Sequence, residues 1–520
     1  MINSMNVAWW VRRWSEVHPQ KTAVHYRDRA ISYAELYARS ETVASWLQSL
    51  GIEKGDRVAV LLDNCPEFIE LYLACARLGA IFVPFNFRLA TPEIDYLLVN
   101  CRPRLFVFRD SLAGKVAPLN LAGYQPPMAA AVVGQKSGDH RVLDYRHITQ
   151  QFSNEKPFIT SSIGPADPEE PQVIMYTSGT TGHPKGAVLT YKKTFFNCLN
   201  ANIFFKVNYD DTMLLILPLF HSGGLFIQLT PMLYHGGTVL LHHRFDAAQV
   251  YQDLERFKVS KFLGVPTVYK ALLDVPPGER GDFRWLKVCA IGGEQVTPEL
   301  LRACRDAGFF CRQIMGQTET SILLWASEEE SLAKPGTVGR PVFHAEVRLV
   351  NEDGTPVPQG QVGEIVARGP VVMKEYWRDP QRTERAMSGG WLHTGDLGRC
   401  DEDGYYYLMD RARDMFISGG ENVYPAEVER VLKQHPAVEE AAVVGMPHHK
   451  WGETGQAFVI FRDGLQINED ELLEHCRQGL AAYKVPRRIA FVGAFPRTPL
   501  GKVRKFLLLE QALQASMLDD

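Results

Sequence analysis

The sequence predicts an α/β fold: a large N-terminal domain of layered α/β sheets with a small β-rich lobe, then a small C-terminal α+β domain. Three observations predict it. Helical and strand-like patterns alternate through residues 1–170 and again from Thr212 to Val288, as in a sheet layered with helices. From about residue 336 the pattern changes to short strands separated by Asp-Gly turns, Asp353-Gly354 and Asp403-Gly404. Beyond Asp410–Asp414 a further alternation of helix and strand patterns fills enough chain for a compact domain of its own. A chain of 520 residues is too long for one folding unit. The expected division is 1–410, a boundary at 411–414, and 415–520.

The elements follow in order. In Trp9–Trp14 (WWVRRW), the aromatic-basic mix suits either a membrane interface or a first helix packing its tryptophans on the core; the second is expected. Tyr33–Leu50 sets Leu36, Val43, Leu47 and Leu50 on one helical face, and Gly51 ends it. Arg57–Leu62 reads as a buried strand, Glu67–Leu78 as a helix stopped by Gly79, and Ile81–Pro84 as a strand. Gln125–Asp144 is polar and weakly patterned, so a surface excursion is expected, and Ser161–Pro171 reads as a loop. Val173–Met175 is a strand, and Thr190 is the N-cap of a helix. Met213–Leu217, Val239–Leu241, Lys261–Leu263 and Val288–Ile291 are further strands. Val347–Val350, Glu364–Ala367 and Tyr405–Leu408 belong to the lobe. In the C-terminal part, Ala426–Gln434 and Asp470–Gln478 are helices, and Ala441–Val444 and Ala457–Ile460 are strands.

Composition narrows the function. A net charge of -4 offers no field for nucleic acid or an anionic membrane. The nine cysteines form neither a CxxC pair nor a zinc-type cluster, which fits a reducing cytoplasm. No run approaches the roughly 20 apolar residues that span a bilayer. At most peripheral membrane contact is expected, and a homodimer is left open.

The strongest local signal is Tyr176–Ala187, YTSGTTGHPKGA. Thr177, Ser178, Thr180 and Thr181 interleave with Gly179, Gly182 and Gly186, and Lys185 adds a cation. Glycines let backbone N–H groups approach an anion, and hydroxyls add donors, so the run can cradle phosphate. It is no Walker A loop, because Pro184 precedes Lys185 and Gly186 follows it. On composition alone it also fits an exposed turn. HSGGL (His221, Gly224, Leu225) sits at a strand end, where an imidazole lines a pocket or serves as a structural hydrogen-bonding group. Gly292-Gly293-Glu294 follows a strand and would let a flat ligand near the backbone. In MGQTET (Met315, Gly316, Gln317, Thr318, Glu319), a carboxylate in a hydroxyl-rich loop suits Mg²⁺, an oxygen-seeking ion that shares ligands with phosphates. Asp396 in WLHTGDL can accept two hydrogen bonds from a diol, or simply close a turn.

Taken together these stretches closely resemble the acyl-adenylate-forming superfamily of acyl-CoA synthetases, adenylation domains and luciferases. The resemblance covers nearly the whole chain. It implies ATP, Mg²⁺ and coenzyme A as cofactor and substrates. It implies that Thr177–Gly182 and Lys185 hold phosphates, that Glu319 and Thr180 take Mg²⁺, and that Gly292, Gly293, Glu294 and Met315–Thr318 take the nucleotide. Met315 stands where the family usually has the adenine-stacking tyrosine. Asp396 and Arg411 would hold ribose, and Lys502 would bridge carboxylate and α-phosphate. Arg413 falls at the family's hinge position. Gly419, Gly420, Trp451, Tyr483, Arg487 and Arg88 would flank coenzyme A. His221, Gly224, Leu225, Ile322 and Leu323 would line the acyl pocket, with no aspartate in Leu219–Leu225 to pair with an amino acid's amine.

The resulting expectation is an AMP-forming acyl-CoA synthetase acting through an acyl-adenylate. The apolar pocket residues favour a medium- to long-chain fatty acid, with an aryl acid as the alternative. Transfer of the acyl group to a carrier protein, a luciferase-type oxygenase and a non-enzymatic nucleotide sensor are the rival readings. The joint presence of Lys185, Glu319, Asp396, Arg411 and Lys502 weighs against the sensor.

Overall fold

The structure is a computed structural model and describes residues 2–124, 128–135, 142–153, 167–177, 183–294, 296–411, 415–462, 464–497 and 503–516. Ser178–Gly182, Arg413 and Lys502 lie outside these residues. By its internal contacts the chain divides into two units. The first is Met1–Phe87, Leu98–Met175 and Gly186–Met409; the second is Arg88–Leu97, Tyr176–Lys185 and Asp410–Asp520.

The first unit is layered α/β. Among the described residues, one sheet runs in the order Glu375–Tyr376, Lys185–Thr190, Pro171–Thr177, Ile81–Pro84, Arg57–Leu61, Leu105–Arg109, Ala129–Val133, Val142–Asp144. Its central strands are parallel and buried along their length, as strands covered on both faces must be. The last two strands correct the expected surface excursion at Gln125–Asp144. Ala129–Val133 pairs in parallel with Leu105–Arg109 and is largely buried. Its alanines carry little β-signal, and the neighbouring strand supplies the pairing that local propensity does not.

A larger sheet carries the site. Parallel strands Thr238–Leu241, Thr212–Leu215, Lys261–Gly264, Val288–Gly292 and Cys311–Gln317 lie side by side. Cys311–Gln317 then turns into antiparallel Ser321–Ala326, which pairs with Thr337–Pro341. Through Thr337–Pro341 the ladder continues into Tyr406–Arg411, Trp391–Cys400, Gly363–Arg368 and Glu346–Val350. The β-rich lobe is thus an extension of the main sheet.

Helix boundaries follow their sequence signals. Tyr33–Ser49 begins on Ser32, whose side chain accepts from Glu35 N, and Pro66–Leu78 ends on Gly79 in the left-handed conformation. Tyr191–Phe205 begins on Thr190, whose hydroxyl accepts from Lys193 N at 3.1 Å. In the first helix, Val7–Val17, Trp10 is buried, Trp9 and Trp14 pack on the core, and Arg12 pairs with Glu16 in solvent. Its tryptophans serve the core. Among the described residues no helix is long and apolar enough to cross a membrane.

In the second unit the strands Glu421–Val423, Phe416–Ser418, Gly452–Phe461 and Val438–His448 form an antiparallel run, with Arg488–Phe491 parallel on Gly452–Phe461. Helices Pro425–Lys433 and Glu469–Gly479 bury Val428, Val431, Leu432, Leu472 and Cys476 in the unit's core. Arg488–Phe491 and the helix Lys505–Ser516 add to the expected elements.

Candidate active site

In the first unit the site is built on a hairpin. Gln317 pairs with Ser321, so the loop between the strands is Thr318-Glu319-Thr320. Gln317 N donates to Thr320 Oγ1 at 3.2 Å and Thr320 N donates to Gln317 O at 3.1 Å, which closes the turn. Ser321 takes φ 59°, the left-handed residue that a three-residue hairpin loop requires after its turn. Gly316 is obligatory here, since a Cβ on it would lie 1.7 Å from Ser321 O.

This turn drives Glu319 inward, to 3% exposure. Its Oε1 accepts from the Tyr376 hydroxyl at 2.7 Å, and its carbonyl accepts from Met373 N at 2.7 Å. A buried carboxylate costs several kcal/mol unless it is paired or bound to a cation. Among the described residues there is no cluster of three or more His, Cys, Asp or Glu able to hold a metal. One carboxylate with an oriented oxygen instead suits Mg²⁺ that arrives on phosphates, since this ion takes few protein ligands when it travels with a nucleotide. Thr180, the second expected metal residue, lies outside the described residues.

His221 and Ser222 precede a π-helical segment, Gly223–Leu229, a geometry frequent at functional sites. Gly224 packs so closely on the loop after strand Thr212–Leu215 that a Cβ would sit 2.3 Å from Pro218 O. Leu225, Ile322 and Leu323 are buried. Between these two stretches lies Lys193, which is 1% exposed. Its Nζ donates to Ser321 Oγ at 2.6 Å, and Ser321 Oγ lies 3.3 Å from Ser222 Oγ. Burial pulls the ammonium down to about 7, against the upward pull of Glu319.

The glycines after strand Val288–Gly292 have separate reasons. Gly292 lies against Ile314 O, where a Cβ would be at 2.3 Å, and Gly293 has φ 86°. Glu294 Oε1 is 3.5 Å from Thr267 Oγ1. Met315 is nine-tenths buried in an apolar cluster with Leu323, Leu324 and Val338. Asp396 is partly exposed in strand Trp391–Cys400. This stretch of the strand is held by Glu364, whose carboxylate accepts from Gly395 N at 2.9 Å and meets His393 Nδ1 at 2.7 Å.

In the second unit, Thr177 Oγ1 is buried with no hydrogen-bond partner among the described residues. It stands at the head of the glycine-hydroxyl run, where a phosphate oxygen would satisfy it. Lys185 opens the next strand. Gly419 and Gly420 both have φ > 0 and form the two-residue turn between Phe416–Ser418 and Glu421–Val423. Gly419 N donates to Trp451 O at 2.8 Å, and a Cβ on Gly419 would meet the indole at 3.0 Å. Trp451 itself is 39% exposed. Arg88 pairs with Glu421, Arg487 is exposed, and Tyr483 packs on the unit's core. Arg411 ends strand Tyr406–Arg411.

The structure thus joins the hairpin carrying Glu319 to the segments of His221 and Leu225 in the first unit, and Gly419 to Trp451 in the second. Sequence reading missed Tyr376, Lys193, Ser222 and Ser321. Tyr376 is 57 positions from its partner, and nothing local marks it.

The family model described as AMP-binding enzyme matches residues 11–377, and that for the AMP-binding enzyme C-terminal domain matches 427–502. The chain belongs to the AMP-binding enzyme family. It is similar to a feruloyl-CoA synthase of Amycolatopsis sp, 38% identical over 96% of this chain and 97% of the relative. An indoleacetate–CoA ligase of Aromatoleum aromaticum is 37% identical, with 96% and 97% covered. A long-chain-fatty-acid–CoA ligase of Mycobacterium tuberculosis is 33% identical, with 97% and 98% covered. Among solved structures, an o-succinylbenzoate CoA synthetase of Bacillus subtilis, a double mutant bound with a product analogue, superposes with a TM-score of 0.85 at 32% identity, covering 96% and 98%. This AMP-binding enzyme is accordingly an acid–thiol ligase, an AMP-forming acyl-CoA synthetase that works through an adenylate with ATP, Mg²⁺ and coenzyme A.

Proposed function

We propose that the acid activated by this ligase carries an aromatic ring, and that the expected fatty acid is not its preferred substrate. The relatives named for feruloyl and indoleacetate substrates stand at 38% and 37% identity, against 33% for the fatty-acid ligase. The segment beside His221 supports the same reading. Phe220 packs edge-on against Phe87 at 5.3 Å, and the expected pocket residues Leu225 and Ile322 are buried and apolar.

The observation that carries the reaction is the buried Glu319 carboxylate, oriented by Tyr376 at the tip of the hairpin. In this reading Glu319 and Thr180 take the Mg²⁺ of MgATP, while Thr177, Ser178, Gly179, Thr181, Gly182 and Lys185 hold its phosphates. Gly292, Gly293 and Glu294 receive adenine, with Met315 to Thr318 beside it. Asp396 and Arg411 receive ribose. A carboxylate oxygen attacks the α-phosphorus and pyrophosphate leaves. Lys502 offsets charge that grows on the phosphorus oxygens in the transition state. The thiolate of coenzyme A then attacks the acyl carbonyl, and AMP leaves with the bonding pair. No protein nucleophile is required, so catalysis is positioning and charge stabilisation. Residues 415–520 act as a mobile domain on residues 1–410, turning about Arg413 in the hinge 411–414. The turn exchanges Lys502 for the face of Gly419 and Trp451, with Gly420, Tyr483, Arg487 and Arg88 toward coenzyme A.

The test is AMP and acyl-CoA formation across hydroxycinnamic, indoleacetic, benzoic and straight-chain fatty acids. Higher kcat/KM for the aromatic acids is expected. A fatty acid exceeding every aromatic acid overturns the reading.

A further inference from the structure

Lys193, Ser222 and Ser321 bring three polar side chains together from three separate segments. Lys193 comes from the first turn of helix Tyr191–Phe205, Ser222 from the residue after His221, and Ser321 from the strand that leaves the Glu319 hairpin. All three are at least nine-tenths buried. Their neighbours in sequence, Leu225, Phe226, Ile322 and Leu323, are apolar and buried, and Nζ lies 5.4 Å from the centroid of the Phe226 ring.

An ammonium group has three donors. Among the described residues Nζ makes one hydrogen bond, to Ser321 Oγ, and no carboxylate lies within ion-pair distance of it. A hydroxyl or an amide could tie Ser321 in place without the desolvation that a buried cation incurs. A dehydrated cation with donors to spare, set among apolar side chains, is how a pocket reads an acceptor on an otherwise apolar ligand. A site built to hydrogen-bond such a group discriminates strongly against the analogue that lacks it, because its own polar atoms are then left unpaired.

We propose that Lys193, seated by Ser321 and Ser222, is a specificity-determining residue that binds an oxygen substituent on the ring of the aromatic acid. The inference rests on the aryl-acid reading above and names the substrate class within it: ring-hydroxylated or ring-alkoxylated carboxylic acids.

The experiment compares matched acids, cinnamic with para-hydroxycinnamic and phenylacetic with para-hydroxyphenylacetic, by kcat/KM in the full-length enzyme and in Lys193→Met. The wild type is expected to favour the oxygenated member of a pair by about tenfold or more. In K193M that ratio falls toward one. A purely structural role for Lys193 would lower both acids alike and leave the ratio intact, and that result overturns the proposal. The wild-type ratio needs no variant, so a ratio near one in both pairs overturns it even if K193M fails to fold. Lys193→Gln, which keeps a donor on a shorter stem, is expected to fall between the two, and a K193Q ratio no lower than that of the wild type also counts against it. Failure of the two readings is distinguishable. If only fatty acids are turned over, the aryl reading falls and takes this one with it. If aromatic acids react but K193M keeps the wild-type preference, this inference alone is lost.

Discussion

The Tyr376 hydroxyl donates to Glu319 Oε1 at 2.7 Å, joining a two-residue edge strand to the tip of a hairpin 57 positions earlier in the chain. The contact orients the buried carboxylate to which the proposed reading gives Mg²⁺. Removing a group that orients a metal ligand typically costs about 10- to 100-fold in metal affinity or activity.

Tyr376→Phe removes that hydrogen bond and little volume. The Mg²⁺ concentration needed for half-maximal AMP formation should rise by about tenfold or more. Melting temperature should change little. A Mg²⁺ titration at saturating acid measures the first and a thermal scan the second. An unchanged Mg²⁺ requirement would remove Tyr376 from the site.

Gly316→Ala tests whether the hairpin is set by close backbone approach. The new Cβ would lie 1.7 Å from Ser321 O, and a backbone carbonyl cannot yield as a flexible side chain can. A loss of about 1–3 kcal/mol is expected, as for other overpacked sites. Urea denaturation reads the stability, and adenylate formation should fall with it. A fully active, equally stable alanine variant would refute this account of the turn.

Lys502→Ala separates the half-reactions. Acyl-AMP formation should be abolished, whereas thioester formation from supplied acyl-AMP and coenzyme A should persist. Pyrophosphate release measures the first and thioester absorbance the second. Equal loss of both would end the division of labour assigned to the C-terminal domain.

Asp253 gives a pH test. Its carboxylate meets His242 Nε2 at 2.9 Å and accepts from Gln249 Nε2 at 3.0 Å. Burial alone would raise this carboxyl, but the bonds from His242 and Gln249 outweigh it and leave it below its ordinary 3.8. A depressed carboxyl stabilises the fold above its unfolded-state value, and the contribution is lost as pH falls through the folded value. Asp253→Asn should cost about 1–3 kcal/mol at neutral pH. The deficit against the wild type should shrink once the pH drops below 3.8, as followed by denaturant melts across the acid range. A deficit constant with pH would show that packing, not charge, is at stake.

Most of the fold could be read from the chain because its punctuation is local. Ser32 and Gly79 bound their helices by caps that a sequence displays, and Ile81–Pro84 is bounded as expected. Ala129–Val133 could not be read, because its pairing comes from Leu105–Arg109 and its own residues are poor strand formers. The glycine-rich segments of the site were visible for the same local reason. Tyr376 and Lys193 were not, since each gains its role from partners brought by other strands. The gap at Gly316 is intermediate: the glycine is plain in the sequence, but the carbonyl that demands it is not.

The tip of the hairpin has an evolutionary corollary. Three residues separate Gln317 from Ser321, and a one-residue slip of this pairing would turn every side chain of Ser321–Ala326 to the opposite face. The acidic tip and the strand behind it therefore share one reading frame, within which single side chains can be exchanged but not displaced.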